Sequence, residues 1–287
     1  MGKPRRPALR YHGGKWLLAA WIVSLMPAHR IYVESHGGAG SVLLQKPRAD
    51  TEVYNDAWNH VVNIFEVLRD PARAEELRRR CELTPYARAV FEEVTLERLD
   101  EEQDPIERAR LLLFRSWSGF GSGSVNVEHS TGFRIRGRRS GGHPAREWAT
   151  WPEEIRRFTE RLRGVVIECR PAIELIARYD GPDTLFYVDP PYPQSTRNMR
   201  RGNANYVHEM TDDDHRELAR VLRGVEGHVL ISGYPCPLYD EELFPSWHRV
   251  TTTAIADSGG ERVEAVWMPP RTRDAAARQL RLLEVAG

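Results

Sequence analysis

The sequence is poor in cysteine, carries no net charge and has no long apolar run. Its three cysteines, Cys81, Cys169 and Cys236, are far apart and match no metal-binding spacing, so we expect neither a disulfide framework nor a metal centre. No apolar stretch would cross a bilayer and no signal peptide is evident, which predicts a soluble cytoplasmic protein. Lys plus Arg and Asp plus Glu each number 41, so affinity for a polyanion must come from local clusters of charge.

One short segment organises the rest of the chain, the run Y-V-D-P-P-Y at residues 187–192. The apolar residues 185–188 favour a buried strand of a parallel sheet. Pro190 and Pro191 end that strand, because proline cannot donate a backbone hydrogen bond and its φ is nearly fixed. Asp189 is therefore predicted at the carboxyl end of a core strand, where open α/β sheets bind their ligands.

This segment also has the chemistry to activate an amine on a nucleobase. Such an amine is a poor nucleophile because its lone pair is delocalised into the ring. The Asp189 carboxylate and the Pro190 carbonyl can accept its two N–H bonds, and Tyr192 offers a face for base stacking, worth about 1–3 kcal/mol. A strand followed by a Pro-Pro turn with an aspartate cap is the alternative reading of the same residues.

A nucleotide-binding βαβ unit is predicted near the start of the chain. A strand at 31–34 leads into the glycine-rich turn S-H-G-G-A-G-S at 35–41 and a helix at 42–45, and glycines allow a cofactor to approach the backbone closely. A second strand at 51–54 ends at Asp56, which can accept hydrogen bonds from ribose hydroxyls. No lysine of a triphosphate-binding loop follows the glycines. Upstream, Gly14 and Lys15 begin a helix predicted over 16–26 and suit contact with an anion.

The middle of the chain has the composition of a nucleic-acid contact. Arg115 precedes the run S-W-S-G-F-G-S-G-S at 116–124, which holds Phe120, and F-R-I-R-G-R-R follows at 133–139. Arginines alternating with aromatic residues suit phosphate contact and insertion into a base stack, and the alternation predicts a hairpin with one basic face. A disordered surface loop is the alternative. A polar loop beyond Asp189 adds Arg197, Arg200 and Arg201.

Further strands are predicted at 165–168, 228–232, 250–256 and 264–268, with a helix capped by Thr211 over 212–222. Together these elements form a Rossmann-like three-layer α/β sandwich around a mainly parallel seven-stranded sheet, interrupted by a mainly helical insert.

The motifs R-Y-H-G-G-K, E-S-H-G-G-A-G-S, D-P-P-Y, L-I-S-G-Y and E-A-V-W occur in one order, with an insert before D-P-P-Y. In this the chain resembles the Dam-type (alpha-group) family of adenine-specific DNA methyltransferases. The resemblance implies methyl transfer from S-adenosylmethionine to the N6 amine of an adenine flipped out of double-stranded DNA, without a metal. It also implies a bacterial or phage-encoded protein associated with the nucleoid, solitary or in a restriction-modification system.

The resemblance assigns candidate residues and domains. Residues 1-63 and 164-287 would form the catalytic domain, and 64-163 the inserted target-recognition domain. The catalytic candidates are Asp189, Pro190, Pro191 and Tyr192. The cofactor-binding candidates are Tyr11, Gly14, Lys15, Glu34, His36, Gly37, Gly38, Ala39, Gly40, Ser41, Asp56 and Asp189. The DNA-binding candidates are Arg115, Phe120, Phe133, Arg134, Arg136, Arg138, Arg139, Arg197, Arg200 and Arg201.

The chain departs from the family pattern in three places. Ser35-His36 replaces the usual Pro-Phe, Arg10 stands where lysine is common, and residues 169–171 lack the acid often found beside the cofactor's adenine. We therefore expect an active enzyme with altered cofactor contacts. Two alternatives stay open at this point: methylation of cytosine N4 or of RNA adenine, and a DNA-binding regulator that has lost catalysis.

Overall fold

A central twisted sheet carries the fold. The computed structural model describes residues 2–126, 131–135, 143–196, 206–255 and 260–286. In these ranges the strands are β1 (Ile31–Glu34), β2 (Thr51–Asn55), β3 (Val166–Glu168), β4 (Thr184–Val188), β5 (His228–Gly233), β6 (His248–Ile255) and β7 (Glu261–Met268). The helices are α1 (Ala19–Ser24), α2 (Ser41–Gln45), α3 (Asn59–Arg69), α4 (Pro71–Leu83), α5 (Arg88–Glu92), α6 (Leu96–Glu101), α7 (Pro105–Ser118), α8 (Pro144–Thr150), α9 (Ile155–Leu162), α10 (Ala172–Tyr179), α11 (Asp212–Gly224) and α12 (Pro270–Ala286).

The strand order across the described sheet is β3-β2-β1-β4-β5-β7-β6. The five strands β3, β2, β1, β4 and β5 are neighbours in this order and are parallel to one another, and β7 is antiparallel to both β5 and β6. The chain leaves β1 in one direction and β4 in the other, so the carboxyl ends of these neighbours flank the crevice where such sheets bind ligands. This α/β architecture confirms the predicted fold class.

Strand β4 is buried along its whole length, which explains its continuous apolar sequence. Its residues alternate between two apolar layers, as the period of a strand requires. Leu185 and Tyr187 face the layer that contains α1 to α3. Phe186 and Val188 face the layer that contains α10 and α11. The following aspartate is thereby fixed at the edge between two packed layers.

The segment 64–163 is mainly helical, as predicted, and it shares an apolar core with the sheet. Helix α3 packs against α4, α7 and α9, and one cluster of buried side chains runs from Tyr32 and Tyr187 in the sheet to Phe114 and Trp151 in the insert. The boundary predicted between residues 63 and 64 lies within α3. Side-chain packing therefore holds residues 64–163 against the sheet.

Two elements differ clearly from the prediction. Helix α1 covers only 19–24, because residues 15–18 form a turn in which the Lys15 carbonyl accepts the Leu18 N–H. The closing antiparallel pair is longer than predicted, with β6 paired to β7 from His248↔Met268 to Ile255↔Glu261. The Thr211 cap of α11 is confirmed, with a reciprocal hydrogen bond between Thr211 and Asp214. Across the described ranges, no helix combines the length and the apolar character that a transmembrane span needs.

A buried ionic cluster connects the insert to the sheet. Arg161 of α9 donates both terminal nitrogens to Glu52 of β2, at 2.6 and 2.8 Å, and one of them also to the Leu43 carbonyl. The Lys46 ammonium lies 2.8 Å from the same carboxylate. The side chains of Arg161 and Glu52 are only 7% and 3% exposed, so water cannot replace either partner.

We predict that Arg161→Ala destabilises the protein by about 3–5 kcal/mol, because it leaves the Glu52 carboxylate buried with one cation where it now has two. Arg163→Ala is the matched control, since its pair with Glu160 is 73% and 47% exposed and should contribute about 0–1 kcal/mol. Denaturant unfolding measures both. Equal midpoints for the two variants would contradict this account of the cluster.

Candidate functional site

A cleft opens at the carboxyl edge of β1, β2 and β4, with an empty volume of about 900 Å³ counting its mouth. The cleft lies where open α/β sheets bind their ligands. The sequence candidates that line it are Tyr11, Gly14, Lys15, Glu34, His36, Gly37, Gly38, Ala39, Ser41, Asp56, Asp189 and Pro191. Gly40 lies outside the lining: its φ is +60° and a Cβ there would lie 2.9 Å from the Phe65 ring, so packing explains this glycine.

Asp189 lies directly after β4 and forms an ion pair with Lys15, whose Nζ is 3.0 Å from its Oδ1. Burial raises the pKa of Asp189 to about 6, and the neighbouring Lys15 ammonium limits the rise. The pKa of Lys15 is itself raised, because Asp189 and Glu264 outweigh the opposing effect of burial. At neutral pH the pair is therefore a carboxylate and an ammonium, held against each other in the cleft wall.

The rest of the D-P-P-Y segment packs beside this pair. Pro190 and Tyr192 are buried, while Pro191 reaches the cleft. The Tyr192 hydroxyl donates to Glu264 Oε2 at 2.8 Å. Its ring meets the edge of Tyr234, with centroids 4.7 Å apart. The tyrosine is therefore a fixed aromatic surface next to Asp189.

The glycine-rich turn is shaped by two tyrosines. A Cβ on Gly37 would collide with the Tyr54 ring, and the Tyr54 hydroxyl donates to the Gly38 carbonyl at 2.7 Å. Gly38 has φ +48°, and a Cβ there would lie 2.9 Å from the Tyr11 ring. Only glycine satisfies both the positive φ and the close approach.

Asp56 accepts a backbone N–H on each carboxylate oxygen, from Gly38 and from Trp58, both at 2.8 Å. It thus joins the glycine turn to the start of α3, and each oxygen retains a lone pair for a ligand. Burial raises the pKa of Asp56 above its usual value, although these N–H donors oppose the rise. Ser41 lines the same cleft, and its buried hydroxyl has no hydrogen-bond partner among the described residues.

Glu34 is buried at the end of β1. Its Oε2 accepts the Tyr32 hydroxyl at 2.7 Å and the Leu43 N–H at 2.8 Å. Burial raises the pKa of Glu34 to about 8 despite these donors, and the charge of Asp189 adds to the rise. At neutral pH the Glu34 carboxyl is therefore mainly protonated.

The departures from the family pattern also lie around the cleft. His36 lines it, and burial lowers the pKa of His36 to about 4, so its ring is neutral. Arg10 donates to the Gly119 carbonyl at 3.2 Å, next to Phe120. Cys169 is exposed, while Arg170 reaches the cleft. The Arg170 N–H donates to the Asn55 side-chain oxygen, and the Arg170 carbonyl accepts from the Asn55 side-chain nitrogen.

Sequence reasoning missed a second wall of the cleft. It consists of Trp58 and the segment Tyr206–Met210. Tyr206 packs near Tyr11, at a centroid distance of 6.3 Å, and near His12, at 5.2 Å. Trp58 stands two residues after Asp56, the acid that follows β2, and this position could have indicated that Trp58 lines the cleft. Nothing in the pattern of 206–210 marks that segment.

The DNA-binding candidates fall into three groups. Phe120 is 60% exposed and remains available for contact. Two of the arginine candidates, Arg115 and Arg134, have guanidinium groups that are engaged by internal partners. Arg115 is buried, donates to the carbonyls of Ser124 and Phe91 and lies over the Phe91 ring. Arg134 donates to the Trp117 carbonyl and to Glu147.

Phe133 is likewise not exposed as a wedge would be. Its ring packs against Tyr86 and Phe91, with centroids 4.9 and 5.7 Å away. Among the described residues, the strand-like pairing here is a bridge between Gly119 and Phe133, and Ile135 faces solvent. The Arg134 side chain is only 12% exposed, so its guanidinium is directed to internal partners. Arg136, Arg138, Arg139, Arg197, Arg200 and Arg201 lie outside the described residues.

The part of the chain that the structure describes contains no group of three or more His, Cys, Asp or Glu side chains that could bind a metal ion.

Comparison with known proteins adds independent information. A family model described as D12 class N6 adenine-specific DNA methyltransferase matches residues 11–252. The chain is 25% identical over 282 residues to the DNA adenine methylase of Escherichia coli (strain K12), covering 91% of this chain and 92% of that protein. It is 27% identical over 248 residues to the DNA adenine methylase of Vibrio cholerae serotype O1, covering 81% and 82%.

We predict that Glu34 makes the protein less stable as pH rises. The pKa of Glu34 is about 8 in the folded state against 4.5 for an ordinary glutamate, so the folded protein binds this proton more tightly than the unfolded chain. Its contribution is complete below pH 4.5 and is lost as pH approaches 8. Glu34→Gln should flatten this part of the stability curve in denaturant unfolding. Asp56 and Asp189 also have raised pKa values, but they contribute to the pH dependence of stability in the wild type and in Glu34→Gln alike. Superimposable stability curves for the two proteins would refute the prediction.

Proposed function

Because the chain belongs to the D12 class of N6 adenine-specific DNA methyltransferases, we propose that the cleft at the carboxyl ends of β1 and β4 is its active site. There a methyl group would pass from S-adenosylmethionine to the N6 amine of an adenine turned out of the duplex. The observation that carries this proposal is the Asp189 carboxylate, half-buried in the cleft wall and held by Lys15 at 3.0 Å.

The cleft fits S-adenosylmethionine. Asp56 has lone pairs for ribose hydroxyls, the unpartnered Ser41 hydroxyl needs a partner, and the glycine turn leaves backbone free of side chains. Tyr11 and Trp58 supply aromatic wall. When bound, the cofactor would supply a methyl group activated by a sulfonium. His36 would contribute a neutral ring where the family usually has phenylalanine.

Asp189 would act on the amine of the base. Its carboxylate and the Pro190 carbonyl would accept the two N–H bonds and make the nitrogen lone pair available. The same carboxylate would stabilise the positive charge that grows on nitrogen during transfer. Lys15 would keep Asp189 ionised, since the pKa of about 6 already includes its opposing effect. A strong base is unnecessary, because the methylated ammonium is very acidic.

Tyr192 would provide the stacking surface for the adenine. The base must leave the duplex, because its amine is otherwise paired and inaccessible. A ring already fixed by packing loses little conformational entropy when the base stacks on it. Pro191, in the cleft lining next to Asp189, would limit where the base can lie.

We propose residues 64–163 as the target-recognition part, with Phe120 as the aromatic wedge. Phe120 is exposed on a loop that Arg10 and Ser116 hold against the R-Y-H-G-G-K segment. Arg138, Arg139, Arg197, Arg200 and Arg201 are proposed phosphate contacts from their sequence context alone.

The test is methylation in cells. We predict that DNA from an adenine-methylation-deficient bacterium expressing the protein carries N6-methyladenine at one recurring sequence, read by single-molecule sequencing. Asp189→Ala should abolish this signal while changing cofactor affinity by no more than about tenfold, since the carboxylate acts mainly on the amine. Calorimetry with S-adenosylmethionine measures that affinity.

The control for this experiment is the thermal midpoint of Asp189→Ala, because the variant leaves Lys15 without its ion-pair partner. Methylation that persists near the wild-type level in a folded Asp189→Ala protein would overturn the site assignment. Methylcytosine or modified RNA in place of N6-methyladenine would overturn the function itself, and absence of any modification would favour a regulator.

We predict that Phe120→Ala slows methylation of fully paired DNA more than methylation of a site whose target adenine is mismatched. A wedge lowers the cost of opening the pair, and a mismatch has already lowered it. Phe133→Ala is the control: its ring is packed internally, so it should lower stability and affect both substrates alike. Single-turnover rates on the two duplexes give the ratio, and equal slowing by Phe120→Ala would exclude the wedge.

A further inference from the structure

A second carboxylate lies behind the D-P-P-Y segment. Glu264 is on β7 and is buried. Its neighbour Ala265 pairs with Gly233 at the end of β5, which brings Glu264 to the edge of the sheet that carries the active site. Its Oε2 accepts the Tyr192 hydroxyl at 2.8 Å. Glu264 is the first residue of the E-A-V-W motif, but it is not among the candidate site residues.

Three groups hold the Tyr192 ring. Glu264 fixes the hydroxyl, Tyr234 packs edge-on at 4.7 Å with an interplanar angle of 81°, and the Lys15 ammonium lies 4.8 Å from the ring centroid. The hydrogen bond to Glu264 fixes the position of the hydroxyl, which lies on the axis about which the ring turns, and the packing of Tyr234 and Lys15 fixes the plane of the ring. The Tyr192 hydroxyl also hydrogen-bonds the Asp189 carboxylate, which lowers the pKa of Asp189. Without Glu264, the hydroxyl would lose the carboxylate that holds it at 2.8 Å.

The charges around Lys15 make Glu264 more than a hydrogen-bond acceptor. Lys15 and Asp189 form a neutral pair, and Glu264 adds a negative charge close enough to raise the pKa of Lys15 and of Asp189. The cluster of Lys15, Asp189 and Glu264 is thus negative overall. Such a cluster favours positive charge that develops nearby in a water-poor site.

We propose that Glu264 is a positioning residue for methyl transfer: it locks Tyr192 as the stacking surface for the target adenine and keeps the catalytic cluster negative. The proposal rests on the roles proposed above for Asp189 and Tyr192. It predicts that the effects of losing Glu264 and of losing the Tyr192 hydroxyl overlap, so that losing both costs less than the product of the two single effects.

The test is a double-mutant cycle with Glu264→Gln, Tyr192→Phe and the double variant, measured by single-turnover methylation of duplex DNA. Each single variant should lower the rate by about tenfold, the effect expected from one lost or weakened hydrogen bond to a charged group. The double variant should be faster than the product of the two single effects predicts, since the hydrogen bond between Glu264 and Tyr192 is lost only once, while the Glu264 charge and the Tyr192 contact with Asp189 are lost separately. Glu261→Gln, on the exposed end of the same strand, controls for loss of a charge and should leave the rate unchanged.

A merely structural role is separated by two further readouts. The thermal midpoint and the S-adenosylmethionine affinity should stay at the wild-type values in Glu264→Gln. A duplex with 2-aminopurine at the target position should fluoresce more strongly when bound to Glu264→Gln than to the wild type, because a loosely held ring quenches the base less. If Glu264→Gln folds poorly, Tyr192→Phe carries the rate and fluorescence tests by itself.

Three results would overturn the proposal: a Glu264→Gln rate within about twofold of wild type, effects that multiply in the double variant, or unchanged 2-aminopurine fluorescence. These outcomes can be told apart from a failure of the proposed function. If the proposed function is wrong, the wild type itself will not methylate adenine, or the folded Asp189→Ala variant will remain active.

Discussion

The site depends on one ion pair in the cleft wall, between the buried Lys15 and the half-buried Asp189. Burial disfavours the charged form of each group, and the charge of each partner favours that of the other. The sheet brings them together: Asp189 follows β4 between two packed layers, and the turn before α1 carries Lys15 to the same edge. Residues 15–18 form a turn there and do not extend α1.

Asp56 has two roles in the half of the cleft proposed for the cofactor. Its carboxylate accepts backbone N–H groups from the glycine turn and from the start of α3. The group proposed to contact the ribose therefore also holds these two segments together. Tyr54 and Tyr11 fill the space that side chains at Gly37 and Gly38 would occupy. A substitution here changes the shape of the turn together with its chemistry.

The insert is not an independent appendage. Helix α3 and the cluster of Glu52, Lys46 and Arg161 join it to the sheet, and Arg10 holds the loop that bears Phe120 against the catalytic segment. Contact with DNA through this loop would therefore act directly on the residues around Lys15. Such a connection suits an enzyme that must open a base pair before it can use Asp189.

The sequence by itself determined the sheet, the cleft and the family. Its strands have local signals, namely apolar runs ended by glycine or proline, and parallel strands place their carboxyl ends together whatever the details. Only the tertiary structure decided which polar side chains are available to a ligand. The sequence pattern indicates Arg115 and Arg134 as DNA contacts, yet both donate to internal carbonyls, and Arg134 also to a carboxylate. A guanidinium can bind a phosphate or an internal acceptor equally well, and the sequence does not distinguish the two. Glu264, which begins the E-A-V-W motif, and Tyr206 reach the site from a strand and a loop distant in the chain, and their local sequence does not record which residues they contact.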